Sequence, residues 1–257
     1  MNNKKKNAVL VTGCKGDIGI SICKEFADRG YLVIGTDVHS KPELYCDFYM
    51  TCDLVDFVKN EAVNLSFKNS INLFLDENHA VLKSLVNNAA LQIVKPFKNL
   101  STDDFLNSHI VNSIAPFSLI KYFEDQLNKS NGSIVNIGSI HSKLTKPGFC
   151  AYSTSKSSLS GLTRALAVEI SQNITINAIN PAAVETDMLV QGFEGKMDKY
   201  KELKDFHPAG RIANPIEIAK LVAFLCIDNP GFITGSEIAI DGGIGSRLHD
   251  PIQSIYE

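Results

Sequence analysis

Short apolar runs alternate along the chain with longer segments in which apolar residues recur at helical spacing. The short runs have strand character and lie at Ala8–Thr12, Tyr31–Thr36, Phe48–Cys52, Ser84–Val86, Ser133–Ile137, Thr175–Ile179 and Glu237–Ile240. Strands that alternate with amphipathic helices indicate βαβ units, whose strands pair in parallel. The pattern therefore predicts an α/β fold, a doubly wound, mostly parallel sheet of Rossmann type with helices on both faces.

The least regular segment is Glu185–Pro208, which carries Gly192, Gly195 and many charges. It follows a predicted strand end and is interpreted as a mobile flap, although an ordinary pair of surface helices would give the same pattern. No internal repeat, low-complexity tract or linker divides the 257 residues. We therefore expect a single domain over residues 1–257.

Composition narrows the class of protein. A hydrophobic content of 44% supports a large buried core, and a formal net charge of −3 gives no sign of a nucleic-acid surface, so Lys4–Lys6 is read as a solvated extension. The run Ala8–Val11 is too short for a signal peptide or a membrane span, which favours a cytoplasmic protein. Six cysteines lack metal-binding spacing and are expected to be free thiols: Cys14, Cys23, Cys46, Cys52, Cys150 and Cys226.

Tyr152 and Lys156 form the most informative pair of polar residues. Four residues apart on a helix, they would share one face, and the ammonium would lower the pKa of the phenol toward neutrality. A phenol of that kind can give and take a proton. Such pairs also occur by chance on solvated helices, so their context matters. Ser139 lies thirteen residues before Tyr152, after the strand-like Ser133–Ile137, where its hydroxyl could hold a substrate oxygen.

A glycine-rich turn, Thr12–Gly19, lies between the first strand and a helix. Glycines there allow a tight bend and close approach of a pyrophosphate, whose charge the helix N-terminus favours. Asp37 ends the second strand, where a carboxylate can bind the adenosine ribose and repel a 2′-phosphate, so NAD is favoured over NADP. Asp37 could instead cap the next turn, and Lys15 could accept a phosphate.

Two later segments extend this predicted dinucleotide site. Asp53 follows the strand-like Phe48–Cys52 and could contact the adenine. Asn87–Ala90 ends the fourth run, where small residues and amides suit a backbone that lies against a dinucleotide. The same residues would also be unremarkable in a simple turn.

These motifs together resemble the short-chain dehydrogenase/reductase family over nearly the whole chain. Its T-G-x-x-x-G-x-G, N-N-A-G, Ser, Y-x-x-x-K and N-P-G motifs correspond in order to Thr12–Gly19, Asn87–Ala90, Ser139, Tyr152–Lys156 and Asn180–Ala182. The chain departs from the family where Asp17, Ala90 and Ala182 replace glycines. A carboxylate at Asp17 is costly beside a pyrophosphate unless it turns away to cap the helix.

The resemblance implies a role for each matching residue. Tyr152 would transfer the proton, Ser139 would hold the substrate oxygen, Lys156 would lower the pKa of Tyr152 and bind the nicotinamide ribose, and Asn112 would complete a proton relay. Residues 7–140 would bind the cofactor, and residues 139–257 would carry the catalytic and substrate part. The implied cofactor contacts are Gly13, Lys15, Asp17, Ile18, Gly19, Asp37, Asp53, Leu54, Asn88, Ala89, Ala90, Tyr152, Lys156, Pro181, Val184 and Thr186, and the implied substrate contacts are Gln92, Ser139, His141, Phe149 and Tyr152.

The expected function is NAD(P)-dependent interconversion of an alcohol and a carbonyl on a small, polar, sugar-like substrate, with NAD as the cofactor and no metal. A dinucleotide-binding regulator without turnover is the alternative, and an isomerase or dehydratase of the extended branch of the family is a third. Apolar residues on the helix near Asp103 and on Ser153–Ile170, together with family analogy, predict a homotetramer.

Overall fold

Seven parallel strands form the sheet of this protein. The computed structural model describes residues 5–40, 45–170 and 172–248, so Lys4 of the predicted extension lies outside the described residues. The strands run in the spatial order β3-β2-β1-β4-β5-β6-β7, and every pair is parallel. Their bounds are β1 Lys6–Thr12, β2 Leu32–Asp37, β3 Phe48–Thr51, β4 Ala80–Asn87, β5 Ser133–Ile137, β6 Thr175–Pro181 and β7 Glu237–Ile240.

The described part of the chain contains nine α-helices. They are α1 Asp17–Asp28, α2 Leu54–Lys59, α3 Glu61–Glu77, α4 Thr102–His109, α5 Ala115–Ser130, α6 Cys150–Glu169, α7 Asp187–Gly192, α8 Met197–Phe206 and α9 Pro215–Ala223. A π-helical turn, Ile110–Ile114, joins α4 to α5. None of these helices combines the length and the apolarity that crossing a bilayer requires. The alternation of strands and helices expected from the sequence is confirmed.

Two apolar cores lie on opposite faces of the sheet. Val9 and Val11 of β1 pack with α1 and α9 on one face, whereas Ala8 and Leu10 pack with α2, α3 and α5 on the other. Because helices cover both faces, β1 is a continuous apolar run rather than an alternating one. The prediction of one doubly wound domain is confirmed.

The chain order reverses between the neighbouring strands β1 and β4. The connection from β1 leads outward to β2, while β4 continues to β5 on the other side. In open parallel sheets a crevice forms at such a switch point, beyond the carboxyl ends of the strands. The glycine-rich turn after β1 and Ser139 after β5 both lie at this edge.

Candidate active site

Ser139 is placed by the end of β5 and held there by backbone and side-chain contacts. It lies two residues beyond Ile137, is buried, and its N–H donates to Asn180 Oδ1 over 3.2 Å. Its Oγ accepts the N–H of His141 over 3.1 Å, and its side chain lies close enough to the Tyr152 hydroxyl group to lower the pKa of that phenol. The strand end and helix α6 thus bring together two hydroxyl groups that are thirteen residues apart.

Lys156 lies on the same face of α6 as Tyr152. Its Nζ donates to the carbonyl oxygen of Ile137 over 2.7 Å and stands 5.7 Å from the centroid of the Tyr152 ring. The lysine side chain is completely buried, and this burial lowers its pKa to about 7. The ammonium is therefore poised to titrate near neutral pH.

The pKa of Tyr152 differs from the sequence-based expectation. Burial raises it, because a phenolate would lose hydration, and the nearby Ser139 side chain opposes this shift only in part. The expected lowering by Lys156 is not found, since the ammonium points to the Ile137 carbonyl and is itself destabilised by burial. The structure therefore favours the protonated phenol, a proton donor.

Asn112 lies within the π-helical turn between α4 and α5. Its Oδ1 accepts the N–H of Leu91 over 2.7 Å, and its Nδ2 donates to the Leu91 carbonyl over 3.0 Å and to Ser155 Oγ over 2.8 Å. Ser155 in turn donates to the carbonyl of Tyr152 over 2.8 Å. Asn112 thus ties the loop after β4 to the helix that carries Tyr152 and Lys156.

An aromatic group lies beside the hydroxyl pair. The rings of His141 and Phe149 stack with centroids 4.4 Å apart, and the His141 ring meets that of Tyr152 edge-on at 5.9 Å. Burial lowers the pKa of His141, and the charge of Lys146 acts in the same direction, so the imidazole is neutral near pH 7. Its Nδ1 is buried without a hydrogen-bond partner. Gln92 is exposed in the loop after β4.

The glycine-rich turn is packed too tightly for larger residues. Gly13 has φ of +61°, and a Cβ there would come within 2.7 Å of Ala89 Cα. A Cβ at Gly19 would overlap the carbonyl oxygen of Gly13 and approach Cys14 Cα at 2.8 Å. The turn therefore presents bare backbone and the N-terminus of α1, a 12-residue helix, to the crevice. These features fit the pyrophosphate of a dinucleotide.

Asp37 ends β2 next to this turn. One carboxylate oxygen accepts the N–H of Lys15 over 3.1 Å, and the other accepts the N–H of His39 over 3.3 Å. Both expected features, turn capping and a carboxylate beside the glycine-rich turn, are present together. The Asp37 carboxylate is therefore held in place beside the glycine-rich turn.

Asp17 does not cap its own helix. The N-cap of α1 is Gly16, which makes no side-chain cap hydrogen bond. The Asp17 carboxylate instead accepts the N–H of Asp187, the first residue of α7, over 2.8 Å. The glycine-rich turn is thereby connected to the segment interpreted as a flap, which forms the helix pair α7 and α8.

The remaining predicted cofactor residues occupy mixed environments. Asp53 caps α2 by accepting the N–H of Val55 over 2.7 Å, and Leu54 packs into the core beneath it. Ala90 is exposed after β4. Pro181 is the last residue of β6, and Thr186 is the N-cap of α7. Val184 is buried and forms an isolated β-bridge with Ala213. Ile18 packs on the α1 side of the sheet.

Two residues with positioning contacts are absent from the predicted site. Thr12 Oγ1 accepts the N–H groups of both Asn88 and Ala89 at 3.0 Å, while Asn88 Nδ2 donates to the Gly13 carbonyl over 2.8 Å. Asn180 holds the backbone of Ser139. Their positions at the ends of β1 and β6 offered a signal, because polar residues at that edge face the crevice.

Comparisons with known proteins find relatives over most of the chain. A family model described as enoyl-(acyl carrier protein) reductase matches residues 13–245. A 3-oxoacyl-(acyl-carrier-protein) reductase from Haemophilus influenzae is 31% identical over 241 residues, which cover 91% of this chain and 96% of the relative.

Solved structures agree as well. The aldohexose dehydrogenase of Thermoplasma acidophilum superposes with a TM-score of 0.86 and 29% identity over 97% of both chains. ElxO with NADP bound gives 0.81 and 28% over 95% of this chain and 100% of that one. With its parallel sheet, glycine-rich turn and Ser-Tyr-Lys cluster, the chain belongs to the short-chain dehydrogenase/reductase family of NAD(P)-dependent oxidoreductases.

Proposed function

We propose that the protein interconverts an alcohol and a carbonyl group, with Tyr152 as the general acid and base. The observation that carries this proposal is the convergence of Ser139, Tyr152 and Lys156 at the sheet edge that also presents the glycine-rich turn. A regulator without turnover would have no need of two neighbouring hydroxyl groups and a buried cation beside a dinucleotide site.

The cofactor and the residues of the site would each perform a separate part of the reaction. A bound nicotinamide dinucleotide supplies the hydride. Ser139 orients the substrate oxygen, and the protonated phenol of Tyr152 donates to that oxygen in the reductive direction. Donation of the proton leaves a phenolate on Tyr152. Lys156 Nζ lies 5.7 Å from the centroid of the Tyr152 ring, and in its charged form it stabilises this phenolate. Asn112 acts through Leu91 and Ser155 to hold the helix and the loop in register.

We infer that NAD is preferred over NADP. Support comes from Asp37, whose carboxylate is fixed at the end of β2 by the N–H groups of Lys15 and His39. A 2′-phosphate would meet a negative charge there. ElxO, which has a similar fold, binds NADP, so the preference depends on this chain's own residue at the ribose position.

The substrate class favoured by the wall of the site is a small hydroxylated compound. The imidazole of His141, whose ring lies beside that of Tyr152, and the exposed amide of Gln92 offer hydrogen bonds to hydroxyl groups. Similarity to an aldohexose dehydrogenase supports the same class. The helix pair of Glu185–Pro208 would close over such a substrate as a flap.

The test is a panel of aldoses, polyols, ketones and acetoacetyl thioesters with NAD(H) and NADP(H), followed at the nicotinamide absorbance band. On the best substrate, Tyr152→Phe is expected to lower kcat by about 10²- to 10⁴-fold while cofactor affinity changes little. Tyr122→Phe, on α5, is the matched control and should keep wild-type rates. Full activity of Tyr152→Phe would refute the acid-base assignment, and a thioester as the sole substrate would refute the sugar-like class.

A further inference from the structure

Three cysteines meet beneath the glycine-rich turn. Cys14 belongs to the turn, Cys23 to α1, and Cys46 to the segment before β3, and they pack in the core on the α1 side of the sheet. A Cβ at Gly35 would overlap the sulfur atoms of both Cys46 and Cys14, so the two sulfurs converge on the same point above β2. The proposed reaction does not use this thiol cluster.

The three thiols are chemically unequal. Cys14 and Cys23 are fully buried, whereas Cys46 is partly exposed and offers the route by which a small oxidant can enter. Hydrogen bonds with Cys14 and then Cys23 lower the pKa of Cys46, and the charge of Lys15 acts in the same direction. Thiolate character and access are the two properties that make a cysteine reactive.

Cys14 belongs to the glycine-rich turn, so a movement of this residue would alter the shape of the proposed nucleotide site. Its N–H donates to the Thr36 carbonyl over 3.3 Å, and its Cα lies 2.8 Å from the position of a Cβ on Gly19. A disulfide requires the two sulfurs to approach to about 2 Å, closer than hydrogen-bonded thiols. In a close-packed interior that movement shifts Cys14, and with it Gly13 and the first turn of α1.

We propose that the Cys14–Cys46 pair is a reversible oxidation site that controls dinucleotide binding. The Cys46 thiolate attacks hydrogen peroxide, which breaks the O–O bond and leaves a sulfenic acid and, after protonation, one water. The Cys14 sulfur then attacks the sulfenic sulfur, its proton and the departing hydroxide forming the second water. Together the two thiols lose two protons and two electrons, and one hydrogen peroxide becomes two waters. A dithiol reductant reverses the step by exchange.

The site itself is tested without turnover. The Cys150→Ser protein, which lacks the exposed thiol, is treated with one equivalent of peroxide, alkylated, digested and analysed by mass spectrometry. The expected product is a crosslink between the peptides of Cys46 and Cys14 that reductant removes. Removing Cys150 prevents crosslinks that would involve this exposed thiol. A crosslink between Cys46 and Cys23, or no crosslink at all, would overturn the assignment.

The control of binding rests on the proposed dinucleotide site and is measured separately, by fluorescence titration with NADH and NADPH. Oxidation should weaken the affinity by about tenfold or more, and saturating cofactor should slow the crosslink. Adding Cys46→Ser should abolish both effects, while adding Cys52→Ser, a buried cysteine of the opposite core, should change neither. Unchanged affinity in the crosslinked protein would overturn the proposed control of dinucleotide binding by oxidation. If the reduced protein binds no dinucleotide, the proposed nucleotide site is refuted, and the mass-spectrometric crosslink analysis alone tests the oxidation site.

Discussion

Lys156 places an ammonium group inside the protein, with 1% of the residue exposed. Its single hydrogen bond among those described here goes to the Ile137 carbonyl, and burial lowers its pKa from 10.5 to about 7. A buried cation of this kind costs stability, which is typical of functional sites rather than of structural ones.

This cost predicts a dependence of stability on pH. Between about pH 7 and about pH 10.5 the unfolded chain binds a proton at Lys156 that the folded protein has released. The free energy of unfolding should therefore rise with pH across this window, by up to about 5 kcal/mol from this group. In Lys156→Met the rise should largely disappear in urea denaturation at several pH values, while the exposed Lys129→Met keeps it. A wild-type slope that persists in Lys156→Met would contradict the assignment of the low pKa to this residue.

Asp37→Ser tests the cofactor preference at the same scale. Removing the carboxylate abolishes repulsion of a 2′-phosphate, so the ratio of NADP to NAD affinity should rise by about tenfold or more. Titration of both cofactors measures the ratio. Asp56→Ser removes the same charge from the exposed face of α2 and should leave it unchanged. Tighter binding of NADP than NAD by the wild-type protein would show that another group, with Lys15 the first candidate, dominates.

At the scale of elements, the contact between Asp17 and α7 joins the nucleotide turn to the helix pair that would cover the substrate. The bond from Asp187 N–H spans 170 residues of sequence. It also keeps a carboxylate in the first turn of α1, where a pyrophosphate would be bound. Cofactor binding and the position of α7 are therefore expected to be coupled.

Two substitutions of Asp17 separate the effect of its charge from the effect of its hydrogen bond with α7. Asp17→Asn keeps an acceptor oxygen and removes the charge, so dinucleotide affinity should rise several-fold while α7 stays anchored. Asp17→Gly should raise the affinity similarly but release α7, so that trypsin cleaves faster at the lysines of α8. Titration and timed proteolysis provide the two readouts. Equal affinity in all three proteins would mean that Asp17 exerts no electrostatic effect on the phosphate site.

At the scale of the whole molecule, apolar surface remains on the helices expected to form an interface. Ile114 and Phe117 are 41% and 42% exposed, and Val168 on α6 and Phe232 before β7 are 86% and 96% exposed. Ile110 and Leu159, apolar residues on the same two segments, instead pack within the chain. The surface is thus smaller than the sequence pattern indicates, but it still covers the end of α4 and the start of α5.

We expect a homotetramer in solution, because an assembly with closed symmetry would bury this apolar surface in contacts between subunits. Sedimentation velocity at micromolar concentration should give a species near four times the chain mass of 28.1 kDa. Phe117→Glu should reduce its size, whereas Leu73→Glu, at an equally apolar exposed position on α3, should not. A wild-type species at the mass of one chain would refute the assembly and leave the enzymatic proposal intact.

The sequence by itself determined the class of fold and identified Ser139, Tyr152 and Lys156 as candidates for one site. Strand positions follow from apolar runs, and the bounds of β5 and β7 agree with the predicted runs at Ser133–Ile137 and Glu237–Ile240. Glycine-rich turns and the spacing of Tyr152 and Lys156 are local features, so they can be read without knowing what packs against them.

Only the tertiary structure decided how those residues behave. Burial, which depends on elements distant in sequence, raises the pKa of Tyr152 and lowers that of Lys156. The partner of Asp17 lies in α7, and the three cysteines converge from three separate elements. Hydration and long-range contacts are set by the whole packed chain, because each depends on which groups exclude water and which backbone atoms remain within reach.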